Sequence, residues 1–214
     1  MSVALPNGIV LALATAYASS LTVTAASNAS ECVLTVTNTL VAGDLVEFTS
    51  GWAKANNRIF RVKSPTGSNL VLEGFDTTST TRFPAGSGTG SIRKINTWTQ
   101  IQQVTDTTSS GGEPQYVTHS FLEQDFDSQI PSTTSAQSIA ITVADDPTLA
   151  GYIAMKNAAE GRALTGLRAT LPQGGYILYN GYVAFDETPT MTKGQLMACR
   201  GGIALQGRPV RYAT

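Results

Sequence analysis

The residues that could do chemistry are few and scattered. The single histidine, His119, lies inside a run that reads as a strand, Tyr116-Val117-Thr118-His119-Ser120-Phe121. A lone imidazole in that setting has no second metal ligand and no nucleophile to activate, and it reads as structural. Cys32 and Cys199 lie far apart, share no motif and sit among apolar residues. That pattern predicts buried free thiols rather than a bridge, and it fits an intracellular folding compartment. No Gly-x-Ser-x-Gly elbow or phosphate-binding loop occurs. The Gly86-Ser87-Gly88-Thr89-Gly90 run is too short and too late in a strand to serve as a dinucleotide fingerprint.

Carboxylates form the only constellation. Glu123, Asp125 and Asp127 follow the His119 strand, and Asp145 and Asp146 precede a helical pattern. Paired carboxylates can cleave glycosides, and clustered ones can hold calcium. Yet Glu123-Gln124-Asp125-Phe126-Asp127 lacks the glycine and terminal glutamate of a calcium loop, and Asp146 is placed to cap a helix. The expectation is a protein with no catalytic site, no metal and no cofactor.

Charge narrows the partners. The 214 residues carry a net charge of −1, and only 14% are charged, against roughly 25% in ordinary soluble domains. Near-neutrality argues against binding nucleic acid by phosphate neutralisation. Thr-rich, Gly-punctuated, charge-poor sequence suggests β-sheet whose surface ends up inside an assembly. No Lys or Arg occurs between Lys94 and Lys156, a stretch holding Asp106, Glu113, Glu123, Asp125, Asp127, Asp145 and Asp146. Such segregation suits head-to-tail stacking; ordinary surface patterning would produce it equally well.

The elements that must position these residues are mainly strands. Ile9 to Ala18 has the apolarity of a signal-peptide core, with Ala16-Tyr17-Ala18 like a cleavage site. No cation precedes it, Pro6-Asn7-Gly8 interrupts it, and it is too short to span a bilayer, so it reads as a buried strand. Residues 20–95 read as a small antiparallel barrel or sandwich complete in itself. Its strands fall at Ser20–Ala25, Cys32–Thr37, Leu45–Phe48, Arg58–Lys63, Leu70–Leu72 and Ser91–Ile95, and Arg58–Lys63 reads as basic on one face and apolar on the other.

Residues 96–214 read as a β-rich body. Trp98–Val104 is a strand, 105–112 a polar loop, and Leu122 to Ala136 a long loop without clear periodicity, of the kind that is functional or disordered. Ser138–Val143 is a strand. Asp146 and Pro147 start a helix with Leu149, Ala150, Tyr152, Ile153 and Ala154 on its apolar face and Gly161 at its C-cap. Strands follow at Ala163–Leu171, Tyr176–Phe185 and Gln195–Gln206, the last with a bulge or kink at Gly201-Gly202, and the chain closes on Gly207-Arg208-Pro209.

The ordered set Trp98–Val104, Tyr116–Asp127, Ser138–Gly161, Arg162–Phe185 and Leu196–Pro209, with the opening strand from Gly8, resembles the lambda-type phage tail tube proteins of long flexible-tailed bacteriophages. The resemblance implies two packed antiparallel sheets flanked by one helix, formed by residues 1–19 and 96–214; residues 20–95 depart from the simplest family pattern and read as an inserted small β domain. It implies a structural subunit forming hexameric rings that stack into a helical tube, a hollow conduit for DNA ejection. Partners would be further copies of the chain, a tape-measure protein, a tail terminator and a distal tail protein. DNA would pass through the lumen without sequence-specific binding, and no membrane is involved. The location would be the virion tail, assembled in the host bacterial cytoplasm. The acidic loop, with Leu122, Glu123, Gln124, Asp125, Phe126, Asp127 and Ile130, would be the ring-stacking element, mobile in the monomer and ordered on stacking. Two other readings remain. One is a tube or baseplate subunit of a contractile or type VI secretion system. The other is a carbohydrate-binding β module using Trp52 as a loop-borne aromatic platform.

Overall fold

The first strand, β1 (Val10–Tyr17), buries Leu11 through Ala14 without a break, because both of its faces are covered. The computed structural model describes residues 7–213; residues 1–6, among them Pro6 of the expected interruption, and Thr214 lie outside the described residues. The remaining elements are β2 (Leu21–Val23), β3 (Ala25–Ala26), β4 (Val33–Thr35), β5 (Leu45–Ser50), β6 (Arg58–Arg61), β7 (Asn69–Val71), β8 (Gly90–Ile101) and β9 (Val104–Ser110). They continue with β10 (Pro114–His119), β11 (Ser128–Thr134), β12 (Ser138–Ala144), the helix α1 (Ala150–Gly161), β13 (Leu164–Thr170), β14 (Tyr176–Thr190), β15 (Ala198–Leu205) and β16 (Val210–Tyr212). The fold is mainly β with one helix, as expected.

An antiparallel sheet of 11 strands runs β6-β5-β8-β1-β13-β14-β15-β12-β9, with β2 added to β8 and β16 to β14. A three-stranded sheet, β3-β4-β7, and a two-stranded hairpin, β10-β11, stand apart from it. The strand β8 changes partners along its length: Gly90–Lys94 pairs with β2 and β5, and Ile95–Ile101 pairs with β1.

Three apolar clusters follow from this order. The fully buried members of the first come from residues 23–92 and centre on Phe48, Trp52, Phe60, Leu70 and Leu72, all essentially inaccessible, with Leu21 and Val210 packed against them. Each such burial contributes on the order of 1.5–3 kcal/mol relative to exposure, so this region carries a core of its own. The second places Leu11, Leu13, Ile101, Ile141, Leu167 and Ile203 beneath α1. The third, on the opposite face of β1, joins Ala14, Ile95 and Leu178 to Leu45, Ile59 and Tyr212.

Helix α1 differs from its expected form at both ends. The Asp146 carboxylate accepts from Thr148 N (3.1 Å) and Thr148 Oγ1 (2.6 Å), closing a local Asx turn instead of capping. The helix begins after Leu149, which offers no side-chain cap, and ends at Arg162 in the left-handed region (φ 47°) rather than on Gly161. Its buried face is Gly151, Tyr152, Ala154 and Met155, while Ile153 is exposed. A side chain at Gly151 would lie 2.5 Å from Gln100 O and 2.7 Å from the Ile101 Cα; the missing Cβ lets the helix lie on β8.

Other expectations are corrected. Gly201-Gly202 makes no bulge, because β15 keeps an unbroken register with β12 and with β14 through both residues. A Cβ on Gly201 would sit 2.2 Å from Met155 Cε, so this glycine makes room for the helix. Strand β6 is not split into basic and apolar faces: Ile59 enters the third cluster and Phe60 the first, since both sides of the strand are covered. The run 105–112 is mostly strand β9, paired with β12; β-prone Thr forms a solvent-facing edge without needing apolar alternation. The chain does not close at Pro209 but adds β16 against β14.

Candidate assembly hairpin and adjoining cleft

The expected long loop, 122–136, is half strand: its first part is the irregular tip of a hairpin, and Ser128–Thr134 is the return strand β11. Strands β10 and β11 pair Val117 with Ile130, Thr118 with Gln129 and His119 with Ser128. Periodicity failed to reveal β11 because Ser128–Thr134 is almost wholly exposed, so no buried face imposes alternation. Gly111 and Gly112 turn the chain into it with φ of 79° and 85°, and a Cβ on Gly111 would sit 1.8 Å from Ala136 O. The root is tied by Ser135 N to Glu113 O (2.9 Å) and Glu113 N to Ser135 Oγ (3.0 Å).

Of the residues expected at this site, Leu122, Glu123, Gln124, Asp125, Phe126 and Asp127 all fall on the exposed tip, where Gln124 N donates to Phe121 O (3.0 Å). Ile130 lies on the β11 arm opposite Val117. Leu122 is 108% exposed and Phe126 69%, and Tyr116, Val117, Phe121 and Ile130 are also more than half exposed. An isolated two-stranded hairpin is marginally stable in water, and contiguous exposed apolar side chains mark an interaction surface. Tyr116, Val117 and Phe121 extend the surface beyond the residues singled out from sequence. His119 belongs to the same arm: its ring meets Phe121 edge-on at 5.4 Å, and its Nδ1 is buried without a hydrogen-bond partner.

A cleft of about 410 Å³ opens where the segment around Gly43–Leu45 meets the face of β8, β13 and β14. Lys94 pairs with Asp44 at 2.8 Å on its wall. The Arg168 guanidinium lies 4.9 Å over the Trp98 ring, and its Nε is buried with no hydrogen-bond partner. Tyr176 completes the aromatic lining. Sequence order hides this cleft, since its lining comes from three separate stretches of the chain, around Asp44, around Lys94–Trp98, and at Arg168 and Tyr176.

The remaining chemistry-bearing groups are built into the fold. Both cysteines are free and buried. Burial pushes the Cys32 thiol up to about 11. Burial also raises Cys199, whose sulfur contacts Asp145 Oδ1 (3.5 Å) and Tyr152 Oη (3.8 Å). Trp52 is not a platform: it is 1% exposed, its Nε1 donates to Pro84 O (2.8 Å), and Phe83 packs edge-on against it at 5.2 Å. The sugar-binding reading loses the aromatic on which it rested. Among the described residues, no three His, Cys, Asp or Glu side chains gather as a metal set.

The chain is mainly β, and its β10–β11 arm leaves apolar side chains uncovered. The family model for phage tail tube protein, TTP, matches residues 50–214, and the chain belongs to that family. It is a structural subunit of a phage tail tube and a component of the virion tail. A search among curated proteins finds no match.

Proposed function

We propose that this chain forms hexameric rings that stack into the tube of a long flexible-tailed phage, with the β10–β11 hairpin making the contact between successive rings. The uncovered arm supports this reading most directly: Leu122 and Phe126 lie bare at its tip. Water-exposed apolar side chains on a marginal hairpin gain most from burial against a neighbour.

In this reading the tube is a conduit for DNA ejection, assembled in the host cytoplasm around a tape-measure protein and finished by a tail terminator and a distal tail protein. The low cationic charge of the chain suits a conduit, because a lumen that neutralised phosphates would retain the DNA. Residues 20–95 are an added unit on the outside of the tube, a division supported by the buried cluster that draws its inaccessible side chains from residues 23–92.

The test is assembly of Phe126→Ala and Asp125→Lys variants. Both should remain folded monomers that fail to polymerise. Unaltered tube formation by both would refute the hairpin assignment.

A further inference from the structure

We propose that the cleft between the Gly43–Leu45 segment and the sheet is the receptor for the hairpin tip of a neighbouring copy. This rests on the stacking role proposed for the hairpin and names the surface it meets.

The two surfaces are complementary in charge and chemistry. The tip presents Asp125 and Asp127 flanking Phe126, and no Lys or Arg occurs anywhere in the hairpin. In the cleft, the Lys94 charge is answered by Asp44 at 2.8 Å, whereas Arg168 forms no ion pair among the described residues. Its guanidinium is held in place by the Trp98 ring at 4.9 Å, and its Nε has lost water without gaining an acceptor. A buried donor without an acceptor is costly, and a carboxylate is the acceptor that a planar guanidinium matches best. Trp98 and Tyr176 give the Phe126 ring an aromatic wall. The occupant comes from another copy because, among the described residues, the hairpin joins no other strand and its apolar side chains are exposed to solvent.

The experiment is a charge exchange read by the critical concentration for tube assembly. Arg168→Glu and Arg168→Gln should each raise it roughly thirtyfold or more, the scale expected on removing one partner of a desolvated pair. Thermal melting verifies that the monomers are folded, and the glutamine variant carries the test if the glutamate variant is not. Combining Arg168→Glu with Asp125→Arg or Asp127→Arg should bring assembly back toward wild type for at least one combination. If tip reversals block assembly while both Arg168 variants assemble normally, the cleft assignment is overturned and the hairpin reading stands. If neither exchange restores assembly, the pairing is likewise overturned. If tip reversals alone leave assembly unchanged, the hairpin reading itself fails. A cleft that instead takes a free small anion would give the first of these overturning results.

Discussion

Glu47 and Arg93 form a bidentate pair, with Nε to Oε1 and Nη2 to Oε2 both at 3.0 Å, around a carboxylate that is 3% exposed. The same guanidinium donates to Leu164 O (3.3 Å) and lies 4.0 Å over the Tyr17 ring. One side chain on β8 thus joins β5 to β1 and β13. Arg93→Ala strands a buried carboxylate and removes three attachments at once. It should lower unfolding free energy by roughly 3 kcal/mol, measured by urea denaturation, whereas Lys63→Ala, which breaks a solvent-screened surface pair with Glu31, should leave the denaturation midpoint nearly unchanged.

Alkaline pH should loosen the packing around two buried phenols, one of them at this seam. Burial pushes the Tyr17 and Tyr212 phenols up to about 12. The Tyr17 hydroxyl accepts from Gly166 N (2.9 Å) and that of Tyr212 from Arg61 N (2.8 Å). A folded-state pKa above the unfolded value near 10 means that the native state holds its proton longer. This stabilisation is complete below about pH 10 and is lost as pH rises toward about 12. Denaturant midpoints measured between those limits should fall with pH, and Tyr212→Phe should make the fall shallower.

Helix docking should be sensitive at Gly151. Its absent Cβ would meet backbone atoms of Gln100 and Ile101 within 2.7 Å, and backbone cannot swing aside as a side-chain tip can. Gly151→Val should cost about 1–3 kcal/mol by overpacking, visible as a lower melting temperature.

Both thiols should resist modification in the native state. Cys32 and Cys199 are fully buried, and thiolate, the reactive form, is suppressed by burial. A thiol-specific chromogenic reagent should titrate neither cysteine in buffer and both in denaturant.

Much of this fold was legible because burial imprints sequence. The apolar run from Ile9 to Ala18 read as a buried strand, and Trp98, Ser138–Val143 and Tyr176 onward were readable as strands for the same reason. Legibility stopped where burial stops. Strands β9 and β11 present Thr and Ser to solvent, so no apolar alternation distinguished them from loops. It also failed where long-range packing overrides local grammar: Asp146 closed a turn instead of a cap, and Gly201 served Met155 rather than a bulge. The acidic and apolar residues of the hairpin tip could be singled out because they are consecutive. The Arg168 cleft could not, because only tertiary structure brings Asp44, Lys94, Trp98 and Tyr176 around it.

The most direct test of the account is electron microscopy of the purified protein across a concentration series, with and without isolated tails as seeds. The account predicts hollow tubes of stacked six-fold rings in which the β10–β11 hairpin lies between rings. A chain that stays monomeric at every concentration and fails to extend the seeds, or tubes in which the hairpin faces bulk solvent, would contradict it.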